Sequence, residues 1–296
     1  MNRKNDLLLL LLLCSTSLFG QSKQEAIAWF SNNFISVLAY PGEVYSNVRL
    51  ERVDECEIVI SYRINNETTQ LTFATKLISI DDSYGFLQSN DDYSGILIRK
   101  NGQLDPGYVR SFAIKKSSIS VVQQKLQQIA GFCHNDEDTW KTKEDALSWL
   151  EGKLKKYAYT NNKYNDYYVM NPKLDQITDC FFTFSFTLFE GSGGDWGSFN
   201  KVGKVTETIA MNMDRLSTMD HCFQNDSPKV RKSDNLNGKS VTSNLSIIQI
   251  AAAEENLHER ILKAMHFLYQ KCGTASVDLR SAMPANDIAR TSAYSN

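Results

Sequence analysis

The sequence predicts an α+β protein of two tandem, duplicated modules, each running helix, four or five antiparallel strands, helix. Three observations predict this. Two capped amphipathic helices share a residue pattern at an offset of 120, two alternating strand segments share one at an offset of 124, and two closing helices share one at an offset of 139. Self-similarity that preserves element order is the mark of an internal repeat. The 296 residues suffice for two domains of ordinary size.

Residues 1–20 carry the pattern of a secretory signal. Arg3 and Lys4 precede an unbroken apolar run, Leu7 to Leu13, and Ser15 to Gly20 forms a small-residue exit. The run is less than half of the roughly 20 apolar residues that a membrane-spanning helix needs. Cleavage is expected after Gly20, leaving Gln21 at the new terminus. The expected location is periplasmic or secreted, with no stable membrane insertion afterwards. This Leu-rich run ending in Phe19-Gly20-Gln21 resembles the export leaders of Bacteroidota.

The first module is expected over residues 21–133. Ser22 and Glu25 form a capping box, in which a hydroxyl and a carboxylate three residues later satisfy the free N–H groups of the first turn. Ile27, Phe30 and Phe34 follow on one helical face. Ile58, Ile60, Tyr62 and Ile64 then alternate with Glu57, Val59, Ser61 and Arg63, the period of a strand with one face on a core. Further strands are expected over Leu71–Ile78, Gly95–Lys100 and Ser111–Lys116. Val122, Leu126, Ile129 and Cys133 define the closing helix.

Residues 134–141 form a short polar connector, and the second module is expected over 142–273. Thr142 and Asp145 repeat the capping pattern, and Ala146, Leu147, Trp149, Leu150 and Leu154 repeat the helix. Phe182, Phe184, Phe186 and Leu188 repeat the alternation, and strands are expected near Val205–Met213, Lys229–Lys232 and Val241–Ile250. Ile261, Met265, Leu268 and Cys272 close the module. The growing offset places extra residues in this copy, the first of them near Tyr157–Tyr168. Residues 274–296 lack periodicity and are expected to be a mobile tail. The order of sheet and then C-terminal helix is similar to pleckstrin-homology-like modules, although the leading helix departs from that pattern.

Removing the leader leaves five cysteines. Cys56 and Cys180 begin equivalent strands, and Cys133 and Cys272 end equivalent helices. Two readings stand side by side: one disulfide per module, Cys56–Cys133 and Cys180–Cys272 with Cys222 left over, or five reduced and buried thiols. Four cysteines allow three pairings.

Charge and motif content narrow the function. Lys and Arg number 32 against 34 Asp and Glu, for a net charge of −2. That balance argues against nucleic-acid binding through bulk positive charge. No GxSxG, HExxH, phosphate-loop or GxGxxG-helix pattern occurs, and no paired Cys/His spacing suits zinc. Gly191 to Gly197 reads as a hairpin loop. The acidic pairs Asp81-Asp82 and Asp91-Asp92 and the run 136–138 lack the donor spacing of a calcium loop. His258 and His266 lie off the apolar stripe and are expected in solvent. No catalytic residue, cofactor or metal is therefore expected.

One binding surface is a candidate: Tyr157, Tyr159, Tyr164, Tyr167 and Tyr168, interleaved with Asn161, Asn162 and Asn165. Tyr and Asn offer flat apolar area with hydrogen-bonding tips, a recognition composition. The competing reading packs these tyrosines on the sheet. The functional expectation is an exported, soluble, non-catalytic binding or structural component of the cell envelope, with a protein or glycan partner. The alternative is a hydrolase-type enzyme with its site in the cleft between the modules.

Overall fold

The computed structural model describes residues 23–33, 46–64, 67–81, 87–90, 95–100, 103–104, 119–134, 139–160, 163–191, 199–217 and 221–273. The expected leader, the Ser22 cap, Phe34, the strand at Ser111–Lys116, the loop after Gly191 and the tail from 274 lie outside them. The fold is mixed α+β with antiparallel sheets. The chain divides into two compact units, Met1–Asp136 with Ala253–Glu255 and Glu137–Ala252 with Asn256–Asn296.

Unit 1 opens with helix α1 over residues 23–33. Its main sheet contains β1 (Ser46–Val53), β2 (Glu57–Ile64), β3 (Glu67–Ala74), β6 (Ile96–Lys100) and β7 (Gln103–Leu104), in that order. A small hairpin, β4 (Ile78–Ile80) with β5 (Leu87–Ser89), precedes β6. Helix α2 (Ile119–Ala130) follows. The alternating side chains Ile58, Ile60 and Tyr62 of β2 meet Leu71 and Phe73 of β3, and Phe30, Leu126 and Ile129 of the helices cover them. This apolar burial, worth roughly 2 kcal/mol for each fully buried large side chain, is the main force holding the unit together.

Unit 2 opens with α3 (Lys143–Tyr157), capped by the reciprocal Thr142–Asp145 box in full. Its main sheet runs β15 (Ser240–Ser243), β14 (Val230–Asp234), β12 (Phe199–Ala210), β11 (Phe181–Gly191), β10 (Tyr167–Ile177) and β9 (Lys163–Tyr164). A second sheet joins β13 (Cys222–Gln224), β16 (Leu245–Ile250) and β8 (Ala158–Tyr159). Helix α4 (Leu257–Tyr269) closes the unit. Among the described residues of this unit nine strands stand where four or five were expected. The segment after α3 supplies two of them, and the apolar span Val241–Ile250 divides at Asn244 between two sheets. Phe182, Phe184 and Phe186 all face the core, with Phe223 packed 5.4 Å from Phe182.

The two units share local construction. Burial along residues 23–30 matches that along 143–150 residue by residue. The β1–β2 register pairs Leu50 with Ile60 and Val53 with Ile58, and β10–β11 pairs Leu174 with Phe184 and Ile177 with Phe182. The irregularities in each ladder also correspond, at Ser46/Arg49 and Leu50/Arg52 and at Met170/Lys173 and Leu174/Gln176. Both turns into the second strand use a side-chain oxygen. Asp54 Oδ1 accepts from the backbone N–H groups of Cys56 and Glu57, and Thr178 Oγ1 accepts from those of Cys180 and Phe181. The opening helix is tied to that turn by Lys23–Glu55 in one unit and Lys143–Asp179 in the other, each at 2.6 Å.

Candidate functional site

Cys56 and Cys133 are joined at an S–S distance of 2.06 Å, and Cys180 and Cys272 at 1.94 Å. Each bridge ties the start of the second strand of the main sheet to the chain just past the closing helix. Cys222 takes part in neither bridge and is buried. Two such pairs fit an oxidising compartment. No helix among the described residues is long and apolar enough to cross a membrane.

The tyrosine segment is not one surface. Tyr157 is 1% exposed and belongs to the core, because it continues the Ala146, Leu150, Leu154 face of α3 by one more turn. Tyr159 sits on β8 and pairs with Gln249 of β16. Burial, and then the neighbouring Cys222, pushes its hydroxyl up to about 12. Tyr164, Tyr167 and Tyr168 are half-buried on the β9–β10 hairpin, with Tyr164 opposite Tyr167. Tyr157 leaves the surface, while Tyr159 and the hairpin tyrosines stay half-buried on separate sheets.

The expected solvation of the histidines also divides. His266 is exposed, but the His258 ring is half-buried, and its Nε2 donates to the Ile250 carbonyl at 2.8 Å. Burial, opposed by that carbonyl, holds its pKa below the usual value. The His221 ring lies 5.2 Å from it. Among the described residues no group of three or more His, Cys, Asp or Glu side chains could hold a metal ion. A groove of about 580 Å³ runs beside α4, lined by Met213, Asp214, Leu262, His266, Phe267 and Gln270 among others.

A site absent from the sequence expectations lies inside unit 2. Glu207 on β12 is 0% exposed and stands between Phe184 of β11 and Lys232 of β14. Its carboxyl pairs with the Ser246 hydroxyl, and the Ile247 N–H donates to its two oxygens at 2.9 and 3.2 Å. The Ser246 oxygen in turn accepts from the Ile248 N–H at 2.9 Å. Burial pushes the Glu207 pKa up to about 7, against the opposing pull of Lys232, Ser246 and the two N–H groups. Burial likewise lowers Lys232, against the pull of Glu207 and Cys222, and Lys232 Nζ donates to the Leu245 carbonyl at 2.8 Å. Burial raises the Tyr164 hydroxyl, assisted by Asp234 and then Glu207. The sequence signal for this site was the alternation Val205, Glu207, Ile209, in which a carboxylate occupies the inward phase.

Comparison with protein-family models, curated proteins and solved structures finds no match.

Proposed function

We propose that the chain is an exported protein of two units descended from one duplicated module, serving as a non-catalytic binding or structural component of the cell envelope. The observation that carries this reading is the repeated bridge: each unit fastens the same strand start to the same helix end. A crosslink of this kind stabilises a domain where thiols are oxidised and has no such use where they are kept reduced. The matched registers, turn oxygens and helix-to-turn ion pairs support a common origin.

The hydrolase alternative has one observation to weigh, the raised proton affinity of the buried Glu207 carboxyl. Its carboxyl is wholly buried and engaged by Ser246 and Ile247, so it braces strands and has no face for a substrate. The half-buried tyrosines of the β9–β10 hairpin are the better candidate for contact with an envelope protein or glycan.

The test is expression of the full chain in a bacterial host with fractionation and non-reducing mass measurement. The expected product is processed after Gly20, lies outside the cytoplasm and lacks four hydrogens relative to the reduced chain. An unprocessed, fully reduced chain in the cytoplasm overturns the reading. Chemical alteration of small molecules from an envelope extract by the purified protein overturns its non-catalytic half.

A further inference from the structure

The registers of the two sheets match position for position. In unit 1 β3 pairs Leu71 with Ile98 and Phe73 with Ile96 of β6. In unit 2 β12 pairs Glu207 with Lys232 and Ile209 with Val230 of β14. Across the other edge Leu71 faces Ile60, and Glu207 faces Phe184. The core positions filled by Leu71 and Ile98 in one unit thus hold a carboxyl and an ammonium in the other.

We propose that this exchange makes unit 2 a proton-responsive body: Glu207 takes up a proton inside the folded core, so that acidification tightens unit 2 while the corresponding part of unit 1 has no such response. The surroundings suit both protonation states. The ionised carboxylate accepts from the Ser246 O–H and the Ile247 N–H, with the Lys232 ammonium opposite. The neutral carboxyl donates to the Ser246 oxygen, whose own hydrogen turns to the Ile248 carbonyl at 3.4 Å, and the Ile247 bond persists. No buried polar atom of the carboxyl is orphaned by the change.

The titratable groups named around the pair come from three strands. Lys232 and Asp234 come from β14, Tyr164 from β9 and Cys222 from β13, the last acting on Lys232. β11 places Phe184 opposite Glu207, and β16 brings Ser246 and the Ile247 backbone N–H. Desolvation of the buried carboxylate outweighs the opposing pull of Lys232 and the hydrogen bonds. The sign follows. A carboxyl whose proton affinity is higher folded than unfolded gives stability that is fully present below its unfolded value near 4.5 and is lost as pH rises through about 7.

The experiment is amide hydrogen exchange on the intact, oxidised chain between pH 5 and pH 8, corrected for intrinsic rates. The β12 and β16 amides should open roughly tenfold to a hundredfold more readily at pH 8, while those of β2 and β3 change little. Glu207→Gln should abolish the difference. Should that variant not fold, the paired change Glu207→Leu with Lys232→Ile rebuilds the unit 1 core and should also be flat. A direct titration of the Glu207 carboxyl carbon by NMR should have its midpoint near 7. Equal opening at both pH values, a pH response that survives in either variant, or a midpoint in the ordinary carboxylate range overturns the proposal.

Discussion

Unit 1 and unit 2 use one strand register for two kinds of core. Around Leu71 and Ile98 the inward row is wholly apolar, and the side chains need only shape to fit. Around Glu207 and Lys232 the same row needs hydrogen-bond partners, and β16 supplies them through Ser246 and Ile247. A buried carboxyl without partners would cost several kcal/mol. The second sheet of unit 2 therefore does more than add area: it satisfies a polar group that the first unit does not contain. The pairing of these strands is alike in both units, and the side chains decide what must cover them.

The largest way to break the comparison is to cut one bridge. The bridged residues are 77 apart in sequence in unit 1 and 92 apart in unit 2, and loops of this length constrain the unfolded chain by about 4–5 kcal/mol in the entropy model. Cys180→Ala with Cys272→Ala should lower the unfolding free energy of unit 2 by that order, read by urea denaturation, and leave exchange protection in β2 and β3 intact. Cys56→Ala with Cys133→Ala should give the reverse pattern.

The next largest effect comes from importing only half of the polar row. Leu71→Glu places a carboxylate opposite Ile98 and Ile60, with no lysine in register. A loss of about 3–5 kcal/mol is expected, read by denaturation at pH 8, and it should shrink at pH 5 as the group takes up a proton.

A smaller contrast lies just before β6. Gly95 has a φ of +82°, and an added Cβ would meet Leu77 Cβ at 2.5 Å. The position hydrogen-bonded to the last residue of the third strand is Gly95 in unit 1 and Lys229 in unit 2. Gly95→Ala should cost about 1–3 kcal/mol, and Lys229→Ala should be near neutral in the same thermal melt. The smallest effect is at the α3 cap, where Thr142→Ala should cost about 1 kcal/mol, seen as increased exchange in the first turn.

Much of this was legible in advance. Phe182, Phe184 and Phe186 alternate, and all three are buried. The Thr142–Asp145 box could be read from two letters three apart, because a cap is a local device. Tyr157 was grouped with the tyrosine–asparagine surface that follows it, whereas α3 runs on to bury it with Leu150 and Leu154. Glu207 carries one local mark, its inward phase between Val205 and Ile209, and its partners lie far off in the chain.

The sequence alone determined the periodicities, the helix cap and the equivalent stations of the cysteines, since each depends on residues near one another or on the chain's likeness to itself. Only the tertiary structure decided which strand crosses Glu207, that β16 delivers Ser246 and Ile247 to it, and that His258 turns inward to the Ile250 carbonyl. The physical reason is that the free energy of a buried polar group depends on partners distant in sequence, and those partners are set by strand register and sheet packing rather than by local pattern.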